Sequence, residues 1–172
     1  MTRTNINLFL TTLLLIIAQA VVFNHICLWG YAVPLVFLYP LLKLPVTISR
    51  EWAYTIGFVI GLIIDIFSDT PGMNALSCTL LMVLRRPVFR LYVPRNEDLP
   101  NPYPSINSLG SFTYGKYVLT MTLIYCTILF FIEYPSVDHL PKTLLTIVAS
   151  TLLTTLIILC IDSLTLRREK GL

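Results

Sequence analysis

Apolar residues run through this chain in long stretches, and short polar or Pro/Gly-rich breaks divide them into six candidate helices at about 6–27, 30–44, 52–68, 71–92, 115–134 and 142–163. From Thr4 to Leu42 there is no charged residue, which is enough chain for two membrane crossings of about 17–25 residues each. Residues 143–161 form a third uncharged stretch. The uncharged parts of the third and fourth segments, 52–64 and 70–84, are shorter than the roughly 20 residues of a comfortable span. They make either two full crossings or a re-entrant hairpin. We expect full crossings, with Arg85, Arg86 and Arg90 extending their stems toward the cytoplasmic interface.

Composition points to lipid as the surrounding solvent. The chain is 56% hydrophobic and 12% charged, against roughly 25% charged residues in an ordinary soluble domain. Charge distribution then sets the orientation. If six helices alternate in direction from a cytoplasmic N-terminus, the inner side holds Arg3, Lys43, Arg50, Arg85, Arg86, Arg90, Arg95, Lys116, Arg167, Arg168 and Lys170, leaving only Lys142 of the twelve basic residues outside. The expected architecture is therefore all-α: residues 1–172 form a single integral membrane domain, a bundle of six transmembrane helices with both termini in the cytoplasm. The opening MTRTNINLFLTTLLLIIAQA also has the layout of a cleavable signal, but its apolar run continues past Ala18-Gln19-Ala20, so an uncleaved first helix is expected. Trp29, Tyr31, Tyr39, Trp52, Tyr54, Tyr92, Tyr103, Tyr114, Tyr117 and Tyr134 fall mostly near predicted helix ends, as an interfacial belt requires. A net charge of +3, scattered along the chain, offers no basis for binding nucleic acid.

Within this apolar background one carboxylate stands out. In GFVIGLIIDIFSDTPGMNAL, residues 57–76, helical spacing puts Gly57, Gly61, Asp65 and Asp69 on one face, with Ser68 beside them. The G-x-x-x-G pair allows close approach of another backbone. A carboxylate at membrane depth is costly without a partner, so Asp65 is expected to face protein: Gln19 or Asn24 of the first helix, Asn74 of the fourth, or a group on another subunit. In the turn that follows, Asp69 or Thr70 is placed to cap the fourth helix, Pro71 suits its first position and Gly72 permits close approach. The stripe serves either as a seam within the chain or as a face for a partner, and Gly57, Gly61, Asp65, Ser68 and Gly72 are the candidate packing and partner-binding residues.

Other chemistry is thin. Gly61-x-x-x-Asp65-x-x-x-Asp69 looks like the second half of the metal-binding motif of CDP-alcohol phosphotransferases, but the first half is missing, and two acids alone make an underligated site. His25 and His139 have no second His or Cys at ligand spacing, and Cys27, Cys78, Cys126 and Cys160 show no C-x-x-C pair. Asp162 reads as an interfacial charge paired with basic neighbours, a turn before Arg167. The proline-rich stretch at 93–111 is expected to be a cytoplasmic connector, with a docking strip for a cytosolic partner as the alternative. No catalytic residue, metal or cofactor is expected.

The stretch resembles the MreD family of bacterial rod shape-determining membrane proteins, in the pattern G-x-x-x-G-x-x-x-D-x-x-S followed by G and A-L, here Gly57, Gly61, Asp65, Ser68, Gly72 and Ala75-Leu76. Weaker matches are Gln19, Pro34 with VFLYPLLKLP at 36–45, Phe130, Glu133 and a basic C-terminal tail. Asp69, Pro71 and the long 93–111 loop depart from the family pattern. The resemblance implies a non-catalytic multi-pass subunit of the bacterial inner membrane. Its partners would be an MreC-type bitopic scaffold and, directly or through it, the MreB filament, the RodA glycosyltransferase and a class B transpeptidase. A different class of function, the small-molecule (vitamin) binding subunit of an energy-coupling transporter, shares the six-helix architecture. Against it, the outer half offers few convergent polar groups beyond Asp65, Asp69, Asn74, His25, Glu133 and His139.

Overall fold

A computed structural model describes residues 2–22, 32–93, 104–133 and 140–170. Among these residues the chain is all-helical: α1 (Thr2–Val21), α2 (Leu38–Leu42), α3 (Arg50–Ser68), α4 (Met73–Tyr92), α5 (Ile106–Leu109), α6 (Ser111–Glu133) and α7 (Leu140–Lys170). Three stretches are long and apolar enough to cross a membrane: Arg50–Ser68, Ser111–Glu133 and Pro141–Thr165. A shorter apolar helix covers Leu10–Val21. The hairpin of α3 and α4 is the most extensive packing unit; α6 bridges α4 and α7, and α1 lies against α3 and α2.

α7 shows what solvent the bundle is built for. Its inward face carries Thr143, Ser150, Thr151, Thr154, Thr155 and Asp162, all buried, while Leu144, Leu145, Val148, Leu152 and Leu156 point outward. A helix in water has the reverse polarity; polar residues inside and leucines outside suit hydrocarbon. α1 and α3 expose the same kind of surface, through Leu13, Leu14 and Ile17, and through Phe58, Leu62, Ile66 and Phe67.

The expected second helix at 30–44 is the main correction to the sequence reading. Residues 32–37 are not helical, and only Leu38–Leu42 form a short helical turn; residues 23–31 lie outside the described part. Pro34 lacks an N–H and disfavours helical geometry in the residue before it, and Pro40 allows only a short helix to start ahead of it. The segment is nevertheless the centre of the core: Phe37, Leu38 and Leu41 are fully buried. Non-helical backbone there must find hydrogen bonds inside the protein. Gln19 supplies two, donating from Nε2 to the Pro34 carbonyl (3.0 Å) and accepting at Oε1 from Val36 N–H (2.8 Å). Ser150 Oγ accepts from Val33 N–H (3.0 Å) and Thr154 Oγ1 from Leu35 N–H (3.1 Å). The Tyr39 hydroxyl then donates to Asp162 (3.3 Å). Successive contacts at 150, 154 and 162 mean that the segment runs alongside α7 in the same direction, over about 18 Å of helix axis.

Other expectations at the basic end of the bundle also change. Asp162 is fully buried, away from the interface, and forms an ion pair with Lys43 at the end of α2. Arg85 is buried and donates to the Leu44 carbonyl, and Arg86 donates to the Ile48 carbonyl, so both tie α4 to the α2–α3 connection. Of the three arginines only Arg90 is exposed. Tyr39, Tyr114 and Tyr117 are core residues, whereas Trp52 is 65% exposed as an interfacial anchor would be. Part of the 93–111 connector is seated on the bundle, since Ile106 N–H donates to Asp162 (3.3 Å); residues 94–103 lie outside the description.

Candidate functional site

The α3–α4 turn gathers the stripe residues. Gly57 and Gly61 face α4 at close range. A Cβ on Gly61 would lie 2.5 Å from Ala75 Cα and 2.6 Å from the Asn74 carbonyl oxygen, and one on Gly57 would lie 2.7 Å from Met82 Cγ. Only hydrogen fits at Gly61, because what it meets is backbone.

That contact brings the start of α4 beside Asp65. The carboxylate, 6% exposed, accepts four hydrogen bonds. Oδ1 takes the Thr70 hydroxyl (2.7 Å), Asn74 N–H (2.9 Å) and Asn74 Nδ2 (3.1 Å), and Oδ2 takes Ala75 N–H (2.8 Å). Two of these donors are among the first N–H groups of α4, which have no partner within the helix, and the positive end of the helix dipole favours a carboxylate there. Asp65 is thus a capping residue supplied by the preceding helix. The expected local cap is absent: α4 begins at Met73 with Gly72 at its N-cap, in left-handed geometry (φ 79°) and without a side-chain bond. Thr70 contributes through Asp65, while Asp69 ends α3 in left-handed geometry (φ 54°), its N–H on the Asp65 carbonyl, and is exposed.

Asn74 carries the cluster one layer deeper. Its Nδ2 donates to Asp65 and to Thr70 Oγ1 (3.1 Å), and its Oδ1 accepts from the Tyr125 hydroxyl of α6 (2.6 Å). The Tyr125 ring meets Phe37 edge to face, centroids 5.8 Å apart. A continuous chain of contacts therefore joins the turn, α6 and the extended core segment.

Of the candidate residues, Gly57, Gly61 and Asp65 come together on α4. Ser68 is partly buried at the end of α3, and Gly72 is exposed in the turn. Among the partners considered for Asp65, Asn74 fills the role, Gln19 serves the 34–36 backbone instead, and Asn24 lies outside the described residues, as do His25, Cys27, Asp138 and His139. Sequence reasoning missed Ser150 and Thr154 as clamps of the extended segment. Their signal was a pair of hydroxyls four residues apart on a helix otherwise rich in leucine.

No family model, curated protein or solved structure matches this chain.

Proposed function

We propose that the chain is a non-catalytic, multi-pass subunit of the bacterial inner membrane, of the MreD type, serving the machinery that extends the lateral cell wall. On this reading it binds an MreC-type bitopic scaffold and, directly or through it, the MreB filament, the RodA glycosyltransferase and a class B transpeptidase. The observation that carries the reading is the closure of the α3–α4 turn by Asp65. Both carboxylate oxygens are engaged by donors of the chain itself, which favours a residue that holds helices together over one that binds a catalytic metal. Two of the weaker points of resemblance, Gln19 and Pro34, are directly bonded to each other, so they have a shared structural reason to occur together.

The topology that goes with this proposal has six crossings and cytoplasmic termini. The second crossing is the broken segment from Val33 to Lys43, sheltered from lipid by its neighbours. The distribution of basic residues supports the orientation.

Affinity purification of the full chain from its native membrane tests the proposal. Recovery with a bitopic coiled-coil protein and wall synthases is expected. Copurification with a pair of ABC ATPases would overturn it in favour of a vitamin-binding subunit.

A further inference from the structure

Asp162 of α7 ties down two other parts of the chain. Its Oδ1 takes Lys43 and the Tyr39 hydroxyl (3.3 Å) from the extended segment, and its Oδ2 accepts the N–H of Ile106 (3.3 Å), the first residue of α5. The Ile106 bond is long for a backbone donor, and therefore weak. Pro104 is buried and α5 packs on α6 and α7, so residues 104–109 lie against the bundle as a strap.

The strap ends at Gly110, which is exposed and left-handed (φ 78°), with nothing within 4 Å of the place a Cβ would take. Its N–H closes α5 on the Ile106 carbonyl (3.0 Å), and its own carbonyl accepts Tyr114 N–H (3.0 Å) as α6 begins. A single glycine with open space around it thus separates strap from helix, and element-terminal positions of this kind absorb the backbone rotation of a hinge.

Tyr114 lies in the field of the Asp162 carboxylate, and its ring is fully buried. Its hydroxyl has no hydrogen-bond partner among the described residues, which is costly for a buried polar group. With the strap seated, a weak backbone donor holds Oδ2 while a hydroxyl goes without an acceptor.

We propose that residues 104–109 form a strap with two positions, seated through Ile106 N–H on Asp162 Oδ2 and lifted about Gly110, with the Tyr114 hydroxyl taking over that oxygen when the strap leaves. The exchange of donors keeps the carboxylate satisfied in both positions, and the Lys43–Asp162 pair stays closed throughout. Lifting therefore avoids the large cost of breaking a buried ion pair. The device is independent of which proteins the chain assembles with.

Hydrogen–deuterium exchange of the full chain in detergent micelles, read at the Leu109 and Gly110 amides, reports the lifted fraction, because a four-residue helix does not persist away from the bundle. Tyr114→Phe removes the donor that serves the lifted position and relieves the unpaired hydroxyl of the seated one. It is expected to slow exchange at these amides about tenfold, the worth of one hydrogen bond to a charged group. Ile106→Pro removes the seated donor at the first position of α5, where proline is tolerated, and is expected to speed exchange by a similar factor. The Asn74 and Ala75 amides, held by Asp65, should exchange as in the wild type in both variants. Unchanged or faster exchange at Leu109 and Gly110 in Tyr114→Phe would overturn the proposal and leave the hydroxyl as an unpaired core group. Failure of Ile106→Pro to speed exchange would overturn it independently.

Discussion

Among the described residues no cation pairs with Asp65, which is held in an apolar helix end by the first N–H groups of the next helix, an amide and a hydroxyl. Removing it leaves at least two buried α4 N–H groups without acceptors, each worth about 1–3 kcal/mol. Asp65→Ala is therefore expected to destabilise the detergent-solubilised protein by on the order of 2–4 kcal/mol, read as a lowered thermal midpoint. Asp69→Gly should cost nothing, because Asp69 is exposed and already in the left-handed conformation glycine prefers. The glycines divide in the same way. Gly61→Ala drives a methyl into the backbone of Ala75 and is expected to cost about 1–3 kcal/mol, as overpacking does. Gly57→Ala meets the flexible Met82 side chain, with the nearest backbone atom, the Cys78 carbonyl oxygen, at 3.1 Å, and should be the milder change in the same unfolding assay. The four-residue spacing made the shared face of Gly57, Gly61 and Asp65 legible in the sequence. The identity of the group opposite Asp65 was not, because Asn74, Gln19 and Asn24 were all within plausible reach until the hairpin geometry fixed which one it meets.

The elements sort by how strongly local pattern governs them. α3, α4, α6 and α7 follow the apolar stretches closely, since a long uncharged run bounded by polar residues leaves little alternative to a helix. The 30–44 stretch has the same composition and a different outcome. Pro34 and Pro40 prevent a continuous helix, and the extended backbone persists only because α1 and α7 provide side-chain partners remote in sequence. That dependence gives a test. Thr154→Val keeps the shape of the side chain but leaves Leu35 N–H unpaired, and is expected to destabilise the protein by about 1–3 kcal/mol. Ser163→Ala, on the exposed part of the same helix, should leave the thermal midpoint unchanged. The burial of Asp162 belongs to the same class of miss. Its neighbours in sequence are the tail arginines, but α7 carries it under α2, where Lys43 and Tyr39 meet it.

For the whole molecule, the outward leucines and inward hydroxyls suit a bundle embedded in lipid, and the proposed topology has the α3–α4 hairpin cross the membrane with its turn outside. Pro71 is exposed in that turn and takes no part in the Asp65 network, so it is a better reporter position than Thr70. The most direct measurement is labelling of a single cysteine, Pro71→Cys in a background without the native cysteines, by a membrane-impermeant maleimide added to spheroplasts. The hairpin described here predicts labelling of intact spheroplasts as complete as that of permeabilised ones. Labelling only after permeabilisation would place the turn inside the membrane or the cytoplasm and contradict the crossing.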